Sequence, residues 1–137
     1  MSKMVLVYYS MTGNTEAMAN AMAETLGIEA INVSDVDVAS IADADKFLLG
    51  CPAMGAENLE EGEFQPFFDE LADSLSGKKV ALFGSYGWGD GEWMRTWQDD
   101  VTNAGADLFE EGLIINETPD DDGLASCKEF ATRFAAY

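Results

Sequence analysis

Three short stretches hold residues whose types and spacing could do chemistry. The first, Ser10-Met11-Thr12-Gly13-Asn14-Thr15, gathers hydroxyls and a glycine just ahead of a helical pattern. Free N–H groups and the dipole at a helix N-terminus bind an anion such as a phosphate. No Lys or Arg lies in the stretch, so such a site would rest on neutral donors. It matches neither the G-x-x-x-x-G-K-[ST] of triphosphate loops nor G-x-G-x-x-G, which favours a monophosphate over ATP or NAD. A hydroxyl-rich turn that only caps a helix would read the same way. The second stretch is Cys51-Pro52-Ala53-Met54-Gly55-Ala56-Glu57, and the third is Ser85-Tyr86-Gly87-Trp88-Gly89-Asp90-Gly91. Each sets one large polarisable group, Met54 or Trp88, beside glycine. Trp88, between Gly87 and Gly89, has no neighbouring side chains to pack on, which suits a stacking platform for an aromatic ligand. Met54 taken alone reads equally as core filler.

The apolar pattern supplies a frame for these stretches. Met4–Tyr9 is a continuous apolar run, as in a strand buried on both faces. Residues Asn14–Leu26 follow with helical spacing, and Gly27 ends that helix. Strands are predicted over Ile28–Val33, Lys46–Gly50, Lys79–Phe83 and Asp107–Ile115, the last interrupted near Glu110–Gly112. Helices are predicted over Phe64–Leu75, Glu92–Ala104 and from Asp120 to about Ala136, with one helical turn around Val38–Ala42. Five strands alternating with helices imply a parallel sheet covered on both faces. Ligands of such sheets bind outside the carboxyl ends of the strands. The positions to inspect therefore follow Tyr9, Leu49, Phe83 and Ile115, and the three stretches lie at the first three of them.

Bulk composition narrows the function. A chain of 137 residues, 47% of them hydrophobic, suits a single domain over 1–137 with a core that needs no disulfides. Seven Lys and Arg against 26 Asp and Glu give a formal net charge of −19, with no His. Such a surface repels nucleic acid and favours partners with basic surfaces. Self-repulsion also favours a monomer. Cys51 and Cys127 form no metal or redox motif and suit a reducing cytoplasm. No apolar run reaches the roughly 20 residues of a membrane span. Asp120-Asp121-Asp122 lacks the calcium-loop pattern, so no metal is expected.

S-x-T-G-N-T, C-P-A-M-G-x-E and G-S-Y-G-W-G, at these spacings, resemble the short-chain flavodoxins of anaerobic bacteria over essentially the full chain. Flavodoxins are themselves a standing example of the doubly wound five-stranded sheet of order 2-1-3-4-5, so that order is carried over from the resemblance. The resemblance implies a non-covalent FMN and one-electron transfer between redox enzymes, in place of ferredoxin and without substrate turnover. It implies that Ser10, Met11, Thr12, Gly13, Asn14 and Thr15 hold the phosphate, and that Pro52 and Ala53 lie near the ribityl chain. Met54 and Trp88 would cover the two ring faces, and Glu57 would accept from flavin N3. The backbone of Ser85, Tyr86, Gly87 and Gly89 would approach the pyrimidine end. The Gly55–Ala56 peptide would turn on reduction to meet N5. Gly55 takes positive φ without strain, so the reduced arrangement is the favoured one. Full reduction makes an anion, which a carboxylate at roughly 8–10 Å opposes by about 0.4–2 kcal/mol. Glu57, Glu60, Glu61, Glu63, Asp90 and Glu92 lie near the predicted rim, although each alone reads equally as a solvated face.

Two other classes compete. An FMN-dependent NAD(P)H reductase needs a nicotinamide pocket and cations for its phosphates, and this chain is short and poor in Arg. A response-regulator receiver needs an Asp ending the third strand and a Lys after the fifth. Here Gly50-Cys51-Pro52 and Asn116-Glu117 stand at those points.

Overall fold

The structure, a computed structural model, describes residues 3–54, 58–87 and 89–137. The chain runs β1 (Met4–Tyr8), α1 (Asn14–Leu26), β2 (Ala30–Asn32), α2 (Val38–Ile41), β3 (Lys46–Gly50) and α3 (Phe64–Ala72). It continues through β4 (Lys79–Tyr86), α4 (Glu92–Asn103), β5 (Asp107–Leu108), β6 (Leu113–Asn116) and α5 (Asp121–Ala135). All pairings between these strands are parallel, in the order β2-β1-β3-β4-β5, and β6 also pairs with β4. The fifth position is thus shared by β5 and β6, on either side of the interruption expected at 110–112. Glu110 adopts φ 50 within it.

Strict alternation along the strands builds two cores. Val5, Val7, Phe47, Leu49, Val80 and Leu82 face α3 and α4. Leu6, Tyr8, Leu48, Ala81 and Phe83 face α1 and α5. This period-2 sorting buries both sheet faces, as a parallel sheet requires. Met18 and Met22 are core, as are Trp93 and Trp97. Trp97 meets Phe64 and Phe68 edge to face at 5.5 and 6.0 Å.

Some boundaries differ from the sequence reading, each for a local reason. Ile28 donates its N–H to Ala23 O, behind Gly27 at φ 68, so it belongs to the cap of α1 rather than to β2. β4 extends through Ser85 and Tyr86 because Ile115 and Asn116 of β6 pair with them. Asp120 caps α5, accepting from the Gly123 N–H at 2.8 Å.

Candidate functional site

A cleft of about 220 Å³ opens at the carboxyl ends of β1, β3 and β4. Ser10, Met11, Thr12, Asn14, Thr15, Pro52, Ala53, Met54, Ser85, Tyr86, Gly87 and Glu117 line it. The sheet therefore brings together residues from all three stretches singled out in the sequence. Gly13 and Gly89 do not line it; they turn the backbone beside it, at φ 95 and 87. Gly55, Ala56, Glu57 and Trp88 lie outside the described residues.

The cleft walls are continuations of the sheet. Tyr9 donates to Gly50 O at 2.9 Å, Cys51 to Phe83 O at 3.1 Å and Ala53 to Ser85 O at 3.0 Å. Pro52 and Ala53 are thus strapped to β4. Trp93 braces the same wall from behind, donating from Nε1 to Cys51 O at 3.1 Å and packing on Tyr86 at 5.6 Å. A Cβ on Gly84 would overlap the Cys51 carbonyl oxygen, so only glycine lets β4 and this wall approach so closely. Met54 and Asn58 exchange main-chain hydrogen bonds at 2.9 Å in each direction.

The floor of the cleft offers donors. Ser10 Oγ accepts from the N–H groups of Gly13 and Glu16 at 3.1 and 3.2 Å, which leaves its hydroxyl proton to donate. Thr15 and Ser85 are 1% and 4% exposed, and their hydroxyl oxygens lie 2.7 Å apart. Ser85 also points its N–H at Thr15 Oγ1, at 3.4 Å. Two hydroxyl protons serve one bond between them, so one is left over. Among the described residues the N–H groups of Met11, Thr12, Asn14 and Thr15 meet no acceptor. Gly13 occupies the position before α1 with no side chain to cap it. Open donors at the positive end of a helix, with no cation among the described lining residues, match a phosphate monoester.

The rim acids differ in their commitments. Glu60 caps α3, its carboxylate accepting from Gly62, Glu63 and Phe64 N–H at 2.8, 2.7 and 2.9 Å. Burial works to raise its carboxyl pKa, but those N–H groups outweigh it and hold it below the ordinary value. Asp90 pairs with Arg95 at 3.0 Å. Burial, then Glu60 and Glu63, raise the Tyr9 hydroxyl. Burial, then the hydrogen bond to Glu16, raise Tyr8. Burial pushes the Cys51 thiol up to about 12, so it is not a nucleophile. Glu117 lines the cleft as well, although it lies outside the three stretches. Its signal was available, because Asn116-Glu117 directly follows Ile115, one of the strand ends to inspect. Among the described residues no Cys, Asp and Glu cluster could hold a metal, and no helix is long and apolar enough to cross a membrane.

A doubly wound parallel sheet with a donor-lined loop between β1 and α1 defines an open α/β protein, a class whose ligands bind outside the carboxyl ends of the strands. The sequence matches the family model described as flavodoxin over residues 6–130. It is 46% identical to a flavodoxin of Clostridium beijerinckii, over 96% of this chain and 99% of that one. It is 48% identical to a flavodoxin of Megasphaera elsdenii, over 90% of this chain and 92% of that one. The solution structure of the two-electron reduced M. elsdenii flavodoxin superposes with a TM-score of 0.87 at 45% identity, over 98% of this chain and 99% of that one. The chain belongs to the flavodoxin family, whose members bind FMN and carry electrons between redox enzymes rather than turning over a substrate.

Proposed function

We propose that this chain, acting as one domain over 1–137, is a low-potential one-electron carrier that holds its FMN phosphate on the floor of the β1–α1 cleft. The observation that carries this reading is the set of open donors there. The hydroxyl proton of Ser10, the one left over from the Thr15–Ser85 pair, and the N–H groups of Met11, Thr12, Asn14 and Thr15 lack acceptors among the described residues and suit an acceptor-only phosphate. Bound FMN supplies the one-electron chemistry. The chain binds and orients it and sets the charge around it. Pro52 and Ala53 flank the ribityl chain, Met54 and Trp88 take the ring faces, and Glu57 accepts from N3. The Gly55–Ala56 peptide serves N5, and the Ser85–Gly89 backbone takes the pyrimidine end. The cleft lined by described residues is smaller than the roughly 300 Å³ of a usual small-molecule pocket. It fits the phosphate and polyol, with the ring at its mouth.

The formal charge of −19 supports basic-surfaced partners, redox enzymes that otherwise use ferredoxin, and a monomer, and two cysteines outside any metal or redox motif suit the cytoplasm. The test is to strip the flavin and titrate the apoprotein with FMN and with riboflavin, following flavin fluorescence. FMN should bind at least a hundredfold tighter. Equal affinities would show that the phosphate contributes nothing and would overturn the placement.

A further inference from the structure

Helices α3 and α5 close their amino-terminal ends with their own carboxylates. Glu60 accepts from the N–H groups of Gly62, Glu63 and Phe64, and Asp120 accepts from that of Gly123. α1 carries a carboxylate suited to the same task, yet among the described residues that group meets no helix N–H. Glu16 is the third residue of α1, the position from which a glutamate ordinarily turns back to the N–H of the residue before the helix. That N–H, on Gly13, goes instead to Ser10 Oγ at 3.1 Å, and the N–H of Glu16 goes to the same oxygen at 3.2 Å. The Glu16 carboxylate is drawn aside, accepting from the Tyr8 hydroxyl at 2.9 Å. Tyr8 is buried in the core between β1 and α1. Burial, then the bond to Glu16, keep its hydroxyl protonated and donating. The Tyr8 hydroxyl therefore fixes where this acid stands.

We propose that Tyr8 is a positioning residue for the phosphate site: its hydroxyl holds the Glu16 carboxylate off the amino-terminal end of α1, so that the N–H groups there stay open to the cofactor phosphate. This rests on the reading that FMN places its phosphate in that loop. Once released, Glu16 competes with the ligand from within the chain. It lies in the first turn of α1, where the helix dipole attracts a carboxylate as it attracts a phosphate. Its charge also repels the phosphate. Because Glu16 is exposed, that repulsion is screened by salt.

The test titrates FMN and riboflavin into the apoproteins of wild type, Tyr8→Phe, Glu16→Gln and the double variant, at low and high ionic strength. Tyr8→Phe keeps the buried ring and deletes the hydroxyl, and its riboflavin affinity reports that the cleft is intact. It should weaken FMN about fivefold at low salt, less at high salt, and leave riboflavin unchanged. Glu16→Gln alone should move FMN affinity by less than about twofold, because the wild-type carboxylate is already held aside. In the Tyr8→Phe background the same substitution should restore wild-type FMN affinity. Wild-type FMN affinity in Tyr8→Phe, an equal loss of FMN and riboflavin, or a loss that Glu16→Gln does not repair would overturn the inference and leave the FMN reading standing. A wild-type apoprotein that binds neither flavin, or both equally, would overturn the placement of the phosphate, and this inference with it.

Discussion

At the amino-terminal end of the sheet, Lys46 Nζ donates to Phe134 O and Ala135 O at 3.2 and 2.9 Å, and Lys79 Nζ donates to Tyr137 O at 2.6 Å. At the carboxyl-terminal end, the N–H groups of Met11, Thr12, Asn14 and Thr15 meet no acceptor among the described residues. The contrast is between two helix ends. The negative end of α5 is closed by the Lys46 ammonium, which also lies over the Phe134 ring at 5.7 Å, and Lys79 holds the residue two beyond that helix. The positive end of α1 is left open. Met11 and Thr12 are exposed, but Asn14 is half-buried and Thr15 buried, where polar groups are normally satisfied, and their open N–H groups suit the proposed phosphate. Stability is built at the first end and binding at the second.

The largest expected effect comes from breaking the wall that joins the two. Gly84→Ala places a methyl against the Cys51 carbonyl oxygen and Trp93. Overpacking of that kind costs about 3 kcal/mol, read as a lower midpoint in urea. FMN affinity should fall with it, because Ser85 and the Cys51–Ala53 wall shift together. A variant of wild-type stability would show that the close approach is not tight.

Next, Thr15→Val keeps the shape and deletes the hydroxyl. The Ser85 hydroxyl and N–H lose their partner, at about 1–3 kcal/mol for a buried unsatisfied group. FMN affinity should drop about tenfold or more, while riboflavin affinity changes little. An equal loss for both ligands would break the assignment of this end to the phosphate.

Lys46→Met sharpens the comparison from the other side. It unpairs the Phe134 and Ala135 carbonyls and should cost about 2 kcal/mol in a denaturant titration. FMN affinity should stay within about twofold of wild type. A large loss of affinity would mean that the two ends are coupled.

The smallest effect is expected at the α3 cap. Glu60→Gln weakens the acceptor of three N–H groups, by about 1 kcal/mol at neutral pH. The folded-state carboxyl sits below its ordinary value despite burial, so its contribution is present above the unfolded pKa. It is lost as pH falls through the lowered folded value. Wild-type and variant stabilities should therefore converge in acid, and a constant gap across pH would contradict the linkage.

What the sequence showed and hid follows from the range of the interactions involved. The bounds of α1 and the αL residue Gly27 were readable, because helix periodicity and a glycine cap are local. So was the break in the fifth strand. The extra length of β4 was not, because Ser85 and Tyr86 become strand only by pairing with Ile115 and Asn116. The stretch Ser10–Thr15 was legible as a hydroxyl-rich loop that leads into a helix. That Ser85 ties Thr15 to Ala53, and that Glu60 is a helix cap, depends on contacts between separate elements. Glu117 stands just after Ile115, a strand end that the sequence marks for inspection, but its left-handed backbone and the bond from its N–H to Tyr86 O are not legible there.

The most direct test of the central claim is an anaerobic dithionite titration of the purified holoprotein, followed by visible absorbance and potential. The expected result is a yellow protein that takes up electrons in two separate one-electron steps, the second at much lower potential. Bleaching in a single two-electron step would contradict a one-electron carrier.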